Sequence, residues 1–301
     1  MKQVKSLGDT GLVIKFFLEV ISTNSYNYKR ILTVQDISCV GQCSLTVALP
    51  ILSACGVETA VIPSAVLSTH TAGFKGFTFR DLTSDMPAIL EHWGREGIKF
   101  DGMYTGYLGS ETQIDICIDI AEKTLKDGAL LIVDPAMADN GVLYKGFDLA
   151  FVEAMKKLVA KADLVVPNLT EACFLTANEY REEYDEAYIR KVCGDLLALG
   201  AKKVVLTGVG FEKGFTGVFV ADKAGEYYYK HEKLEGGCHG TGDVYASAFS
   251  GALMRGKTVE QAAAIAADYT VLCIKNTAGD KDHWYGVKFE PVLPELIDML
   301  K

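Results

Sequence analysis

Residues 129–135 have the sequence ALLIVDP, and residues 162–168 repeat the same form as ADLVVPN. In each stretch a short apolar run ends at a turn that contains proline, which is typical of a buried strand that leads into a polar loop. Residues 202–208, KKVVLTG, form a third apolar run, and it follows a helical stretch. Short apolar strands that alternate with longer helical stretches predict βαβ units around a mainly parallel sheet.

The same alternation is present toward both ends of the chain. RILTVQ at residues 30–35 and ETAVIPSAVL at 58–67 predict strands, with a helix at 44–56 between them. Apolar residues recur at helical spacing over residues 110–128, and residues 217–232 predict an antiparallel hairpin before three closing helices. We therefore predict an α/β fold with three layers, in which helices cover both faces of a mainly parallel central sheet.

The domain organisation follows from the absence of a break in composition. No linker divides residues 29–301, which predicts a single domain, whereas residues 1–28 form an extension of unknown role. The extension carries an apolar run at residues 11–21 that Lys15 and Glu19 interrupt. A membrane span needs about 20 apolar residues, so we predict no membrane segment, and the run has no small-residue cleavage site that would support a signal peptide.

Charge and cysteine usage exclude other classes of protein. The 301 residues carry a formal net charge of −9, and no basic run exceeds two residues, so we expect no binding to nucleic acid. The eight cysteines are scattered without a C-x-x-C pair. This pattern favours reduced thiols in a cytoplasmic protein over a disulfide framework.

Residues 235–249, EGGCHGTGDVYASAF, place four glycines and one aspartate in nine positions before a helix of small residues. The stretch lacks the Gly-Lys-Ser/Thr of a Walker A loop, and it lies too late in the chain for a dinucleotide fingerprint. Exposed amides at a helix N-terminus attract anions such as phosphate. Asp243 then has two interpretations, as an electrostatic helix cap or as the base that accepts a proton during phosphoryl transfer.

Carboxylates after two predicted strands suggest a metal ion for the phosphates. Asp134 and Asp139 follow one strand, and Asn168 and Glu171 follow the next. Ligands bind beyond the carboxyl ends of strands in such sheets, and Mg²⁺ suits a site with few carboxylates and several waters. Each Asp-Pro or Pro-Asn pair is also an ordinary strand terminator, so turn formation remains the alternative for these residues.

Six motifs together resemble the pyridoxal kinase branch of the ribokinase superfamily, over about residues 30–275. They occur in this order: ILTVQ, STHTAG, TGYLGS, VDPAMAD, VPNLTE and GTGD. The resemblance implies ATP-dependent phosphorylation of the 5′-hydroxymethyl group of pyridoxal, pyridoxine or pyridoxamine. It further implies Mg²⁺ as cofactor and a homodimer, and it leaves a K⁺ requirement open.

The resemblance also implies roles for individual residues on the matching positions. The catalytic base would be Asp243, with an anion hole formed by Gly240, Thr241 and Gly242. Mg²⁺ would be organised by Asp134, Glu171 and Asp139. The pyridine site would contain His70, Thr71 and Tyr107. The nucleotide would be approached by Tyr144, Asn168, Thr207 and Gly208, together with Asp134 and Glu171.

Three positions leave alternatives open. Asp36 stands where many relatives carry Ser, and its carboxylate would bind the ring 3-hydroxyl, bind a protonated pyridine nitrogen, or select another heterocycle. His70 would either donate to the substrate or satisfy its own loop. Cys238 would either add to an aldehyde or pack as a bystander.

Two rival functions remain beside the B6 kinase. Hydroxymethylpyrimidine kinases resemble this fold and often carry Cys at the position of Asp243, so the Asp favours the B6 kinase. A non-catalytic B6 or nucleotide sensor is the rival from another class, and the intact set of Asp243, Asp134 and Glu171 argues against it.

Overall fold

The computed structural model describes residues 28–234 and 239–301 of the protein. The strands in these residues are β1 (Arg30–Ser38), β2 (Glu58–Leu67), β3 (Phe79–Asp81), β4 (Phe100–Thr105), β5 (Leu125–Val133), β6 (Ala138–Asp139), β7 (Val142–Leu143), β8 (Leu164–Val165), β9 (Lys203–Thr207), β10 (Phe215–Asp222) and β11 (Glu226–Glu232). The α-helices are α1 (Leu45–Ala54), α2 (Met86–Arg95), α3 (Glu111–Thr124), α4 (Leu149–Val159), α5 (Leu169–Thr176), α6 (Glu186–Ala198), α7 (Thr241–Met254), α8 (Val259–Thr277) and α9 (Leu293–Met299). The predicted extension up to residue 27 and Cys238 lie outside the described residues.

Nine strands form one sheet in the order β11-β10-β9-β8-β5-β4-β1-β2-β3. The six strands from β9 to β2 in this order are parallel. Strand β3 at one edge and the β10–β11 hairpin at the other pair antiparallel. The predicted α/β fold with a mainly parallel sheet is therefore confirmed, and the predicted hairpin lies at the sheet edge.

Alternate residues of the central strands enter two separate cores. On one face Leu32 of β1 and Val133 of β5 pack with helices α2 to α6. On the other face Ile31 and Ile132 pack with α1, α7, α8 and α9. Because both faces of the strands are buried, their sequences are continuous apolar runs rather than alternating ones. The helices thus cover both faces as predicted.

The boundary between α3 and β5 differs from the prediction. Helix α3 ends at Thr124, where the Thr124 hydroxyl donates to the carbonyl of Ile120, and β5 begins at Leu125. The sequence predicts helix through residues 125–128, LKDG, but Leu125 is extended and Gly128 has a positive φ of 76°. Glycine adopts this backbone conformation without steric cost, and the pairing of β5 with β4 is irregular across this stretch.

Among the described residues, no helix combines the length and the apolar character that a membrane span requires. The seven cysteines described, from Cys39 to Cys273, are all free thiols. This agrees with the prediction of reduced thiols for these seven.

Candidate active site

The predicted site residues lie along the carboxyl ends of parallel strands, opposite the start of α7. Asp36 is near the end of β1, Asp134 directly follows β5, and Asn168 follows β8 with a bridge to Thr207 at the end of β9. Carboxyl ends of parallel strands share one edge of the sheet, which is where α/β proteins bind ligands. The polar residues that are far apart in sequence therefore meet in one crevice.

The first turn of α7 is built on a close approach between two backbones. Gly240 is the N-cap residue, with φ 77°. A Cβ atom at this position would lie 2.0 Å from the carbonyl oxygen of Gln42, so only glycine fits. Thr241 and Gly242 follow as the first helical residues. Their amides lie at a helix N-terminus, where backbone N–H groups lack intrahelical acceptors and favour an anion.

Asp243 completes this first turn and is partly buried. Burial, together with a smaller effect of the Asp36 charge, raises the pKa of Asp243 to about 7, against the opposing effect of the Ser44 backbone amide. A carboxyl group with a pKa near 7 exists in both protonation states at neutral pH, which suits a general base.

A second pair of acids, Asp134 and Glu171, is buried beside Asp243. Asp134 is 8% exposed and Glu171 is 3% exposed. Burial raises the pKa of both groups. The negative charge of Asp243 raises the pKa of Asp134 further, and the charge of Asp134 does the same for Glu171. Like charges in a buried site are costly unless a cation joins them. The pair therefore fits a bound cation.

Glu171 also has a structural role at the start of α5. Its carboxyl oxygens accept from the backbone N–H groups of Asn168, at 2.9 Å, and Met137, at 3.2 Å. The Asn168 side chain accepts from the Glu171 N–H and donates to the carbonyl of Ala138. This is a capping box. Asn168 thus positions Glu171 and the β6–β7 hairpin, while its contact with a nucleotide stays a prediction.

Asp139 and Tyr144 flank this pair on the β6–β7 hairpin. Asp139 is exposed and accepts from the backbone and side chain of Asn140 in its own turn. Tyr144 is 42% exposed. Burial of its hydroxyl and the charges of Glu171, Asp139, Asp134 and Asp243 raise the pKa of Tyr144. The phenol is therefore close enough to these carboxylates to feel their charge, and its contact with a nucleotide stays a prediction.

The metal assignment of Asp134, Asp139 and Glu171 stays a prediction. Across residues 28–234 and 239–301, no three His, Cys, Asp or Glu side chains are grouped closely enough to hold a metal ion by themselves. The buried Asp134–Glu171 pair is what remains for direct binding, because Asp139 is turned into its own loop. Mg²⁺ accepts such a site, since it usually takes one or two carboxylates and fills its shell with water and phosphate oxygens.

Thr207 and Gly208 lie at the end of β9. The Thr207 backbone N–H and hydroxyl both donate to the carbonyl of Pro167, at 2.9 and 3.2 Å. Gly208 is exposed, has φ 74°, and has open space where a Cβ would be. The two residues form an accessible rim next to Asn168. Their contact with ATP stays a prediction.

Asp36 and Tyr107 form the other end of the crevice. Asp36 is buried, and the Ser38 hydroxyl donates to it at 2.9 Å. Burial raises the pKa of Asp36, against hydrogen bonds from Ser44 and Ser38. Tyr107 lies close enough that burial together with the Asp36 charge raises its pKa to about 12. Its ring packs on Phe147 at 5.5 Å between centroids, so a buried carboxyl group and a pair of aromatic rings lie near each other at this end.

His70 makes two hydrogen bonds within the protein, one to its own loop and one to a distant segment. Its Nδ1 accepts from the backbone N–H of Ala72 at 3.1 Å, and its Nε2 lies 2.7 Å from the carbonyl oxygen of Tyr285. Since Nδ1 is an acceptor, Nε2 carries the proton and donates it to Tyr285. Both ring nitrogens are therefore bonded within the protein, and donation from His70 to a substrate stays a prediction. Thr71 is exposed beside it, and its substrate contact stays a prediction.

The hydrogen bonds of His70 predict its tautomer and the direction of its titration. Burial lowers the pKa of His70 below its usual 6.5, and protonation would remove the acceptor for Ala72. We expect imidazole ¹⁵N NMR to show the Nε2–H tautomer with a midpoint below 6.5. The neutral ring then stabilises the fold fully above pH 6.5, and this contribution falls as pH decreases through the folded pKa. An Nδ1–H tautomer would contradict the assignment.

Sequence reasoning missed the loop of residues 39–44, which joins the two ends of the crevice. Gly41 has φ 104°, and a Cβ there would lie 2.1 Å from the His70 ring. Gln42 contacts the Gly240 backbone and bonds to His283 at 2.8 Å. Ser44 lies near both Asp36 and Asp243 and opposes the effect of burial on the pKa of each. The only signal in the sequence was Gly41 in a polar stretch after the first strand.

This arrangement of carboxylates around a glycine-rich helix N-terminus, on a mainly parallel sheet, defines a small-molecule kinase of the ribokinase type. A family model described as phosphomethylpyrimidine kinase matches residues 50–287. The chain belongs to this kinase family.

Three relatives show how its members are named. A putative phosphomethylpyrimidine kinase from Bacteroides thetaiotaomicron, solved with pyridoxal, is 36% identical with a TM-score of 0.84 over 90% of this chain and 96% of that one. Pyridoxal kinase from Lactobacillus plantarum is 33% identical with a TM-score of 0.83, over 90% and 97%. Pyridoxal kinase from Dictyostelium discoideum is 27% identical over 259 residues, 76% of this chain and 80% of its own length. The names divide between two substrate classes.

Proposed function

We propose that this kinase transfers the γ-phosphoryl group of ATP to the 5′-hydroxymethyl group of a B6 vitamer: pyridoxal, pyridoxine or pyridoxamine. The observation that carries the proposal is Asp243, a carboxyl group at a helix N-terminus whose pKa is about 7. Phosphoryl transfer to an alcohol needs a group that accepts the hydroxyl proton next to donors that hold the phosphoryl oxygens. Both lie in the first turn of α7.

The chemistry of the protein is then positioning and charge stabilisation. Asp243 accepts the proton of the substrate hydroxyl as the hydroxyl oxygen bonds to the γ-phosphorus of ATP, and the bond from that phosphorus to the bridging oxygen breaks so that ADP leaves. The amides of Gly240, Thr241 and Gly242 stabilise charge on the transferring group. Asp134 and Glu171 would hold Mg²⁺ through one or two direct contacts and through water. The ion would supply positive charge against the phosphates.

Two observations favour a B6 vitamer as acceptor. The Bacteroides relative was solved with pyridoxal, and the Lactobacillus relative is named pyridoxal kinase. Within the site, buried Asp36 faces the space beside the Tyr107 ring. A carboxylate there complements the 3-hydroxyl or the protonated nitrogen of a pyridine. The homodimer and any K⁺ requirement remain expectations from the resemblance, and the cytoplasmic location remains an expectation from the cysteine pattern.

A hydroxymethylpyrimidine kinase is the second candidate. Asp36 also suits the amino group and ring nitrogen of an aminopyrimidine, and the family model carries the phosphomethylpyrimidine name. Asp243 favours the first candidate, because the pyrimidine kinases often carry Cys at that position.

The test is an ATP-consumption assay with pyridoxal, pyridoxine, pyridoxamine and hydroxymethylpyrimidine as acceptors. We expect turnover of at least one B6 vitamer with a higher kcat/KM than that for the pyrimidine. A preference for hydroxymethylpyrimidine would establish the second candidate. Binding of pyridoxal and ATP without turnover of any acceptor would instead indicate a non-catalytic sensor.

A further inference from the structure

Gln42 lies between two glycines that allow a very close approach. A Cβ atom at Gly240, the N-cap residue of α7, would be 2.0 Å from the carbonyl oxygen of Gln42. A Cβ atom at Gly286 would be 2.6 Å from the Cβ atom of Gln42. The loop of residues 39–44 is therefore in tight contact with the first turn of α7 on one side and with residues 283–290 on the other.

Both ends of the Gln42 side-chain amide are bonded to residues 283–290. Its Nε2 donates to a carboxyl oxygen of Glu290 at 2.7 Å, and its Oε1 lies 2.8 Å from Nε2 of His283. The bond to Glu290 fixes the orientation of the amide, so Oε1 accepts and the His283 ring donates from Nε2. Two hydrogen bonds of one side chain thus tie the loop to this segment.

The segment itself is held firmly by the core. Val287 is fully buried, and Phe289 is 1% exposed. The hydroxyl of Tyr269 in α8 donates to the carbonyl of Phe289 at 3.0 Å. Helix α7 packs in the same core as these three residues, so Gln42 fastens the loop to a rigid support that also carries α7.

The residue before Gln42 contacts the other end of the crevice. A Cβ atom at Gly41 would lie 2.1 Å from the His70 ring, and the backbone N–H of His70 donates to the carbonyl of Val40 at 3.2 Å. His70 directly precedes Thr71, which was predicted to bind the pyridine ring. Residues 40–42 therefore connect the predicted acceptor site to the first turn of α7.

We propose that Gln42 is a positioning residue that keeps the acceptor site in register with the amides at the start of α7. The inference rests on the proposed function and extends it to a residue outside the six motifs. The backbone of the loop contacts both sites, and the Gln42 side chain holds that loop in place through His283 and Glu290. Phosphoryl transfer depends on the alignment of the attacking oxygen with the phosphorus atom, so a loosened loop should lower kcat more than it raises KM.

Gln42→Met tests the two side-chain bonds. Methionine keeps the approximate length of glutamine, but it cannot donate to Glu290 and is only a weak acceptor for His283. We expect kcat for the preferred acceptor to fall by about tenfold, with KM for ATP and for the acceptor within about threefold of wild type. Steady-state kinetics at a temperature where the variant is folded measures this. A kcat within twofold of wild type would overturn the inference.

Asn178→Leu is the matched control. Asn178 is half-buried like Gln42, and both ends of its amide are bonded: Nδ2 donates to Asp195 at 2.8 Å, and Lys191 donates to Oδ1. It lies between α5 and α6, which pack on the other face of the sheet. We expect a lower unfolding temperature with unchanged kcat. If Gln42→Met behaved in the same way, Gln42 would be needed only for stability and the inference would fail.

An exchange of groups between Gln42 and Glu290 tests the route, and it serves equally if Gln42→Met does not fold. Gln42→Glu alone places two carboxylates where the bond of 2.7 Å now lies, so repulsion should open the contact and lower kcat by at least about tenfold. Adding Glu290→Gln restores a donor between the two positions, and His283 still donates as before. We expect kcat of the double variant to return to within about threefold of wild type. Additive losses without recovery would overturn the inference.

The outcomes also separate the two proposals. A wild-type enzyme that phosphorylates hydroxymethylpyrimidine but no B6 vitamer removes the proposed function, and the Gln42 variants are then measured with the pyrimidine. A wild-type enzyme that phosphorylates a B6 vitamer, together with Gln42 variants of unchanged kcat, removes only this inference.

Discussion

Replacing Asp243 by Asn is expected to lower kcat by at least about 10²-fold, because a positioned general base commonly contributes about 10²–10⁴. Asn preserves the size of the side chain but cannot accept the proton. KM for the acceptor should change little, since Asp36 and Tyr107 would bind the ring. Steady-state kinetics with the preferred acceptor measures the effect. A kcat within threefold of wild type would exclude Asp243 as the base.

The pH profile follows from the same group. Asp243 must be ionised to accept a proton, and its pKa is about 7. The wild-type kcat/KM should therefore rise with pH through about 7 and level off above it. Residual activity of Asp243→Asn should lack this rise. If the variant kept the same rise of kcat/KM with pH, another group would be responsible for that rise.

The free energy of unfolding distinguishes the two interpretations of Asp243, as a general base or as a helix cap. A folded pKa of about 7 against 3.8 means that ionisation of Asp243 opposes folding as pH rises between these values. Asp243→Asn should thus raise the free energy of unfolding at pH 8. A helix cap would give the opposite sign. Glu260→Gln is the control: Glu260 is in the first turn of α8 with a lowered pKa, so its loss should destabilise the protein at pH 8.

Much of the fold could be predicted because its signals are local. Strands β1, β2 and β9 are apolar runs bounded by turns, and the order of strands and helices followed from them. Strand β3 and helix α2 were missed. All three residues of β3 are exposed, so it has no apolar run, and α2 buries only Met86 and Leu90.

The site could be predicted in part, for a different reason. Asp36, Asp134 and Glu171 were found because the carboxyl ends of parallel strands meet at one edge. Ser44 was not found, since nothing in a serine marks a positive φ, and its effect on the pKa of Asp243 depends on how α1 and α7 approach each other. The Nε2 bond of His70 goes to Tyr285, which is more than 200 residues away, so no local sequence pattern could have predicted it.

Gly240→Ala is expected to produce the largest loss of stability among these variants, about 2–4 kcal/mol. The new Cβ would lie 2.0 Å from the carbonyl oxygen of Gln42, and the residue would have to keep φ 77°. A backbone atom cannot rotate out of the way as a side chain can. The conflict is therefore relieved only by moving α7 away from the loop of residues 39–44. Urea unfolding measures the loss.

Two other glycines, one in the first turn of α7 and one just after its C-terminal end, separate the causes of that loss. Gly256 has φ 84° with open space around it, so Gly256→Ala carries the backbone strain without the clash. Gly242 has open space and helical geometry, so Gly242→Ala should keep or raise stability. We expect Gly240→Ala to be clearly less stable than both. Equal losses in Gly240→Ala and Gly256→Ala would show that strain alone, not the contact with Gln42, requires glycine.

The same displacement should reduce catalysis. Moving the loop away from α7 shifts the N-terminal amides that would hold the phosphoryl group. Loss of one such donor commonly costs about 10²–10³ in kcat, and we expect at least a tenfold loss in Gly240→Ala at a temperature where the variant is folded. Full kcat in the folded variant would mean that the contact between the two backbones maintains the fold and not the alignment of base and phosphoryl group.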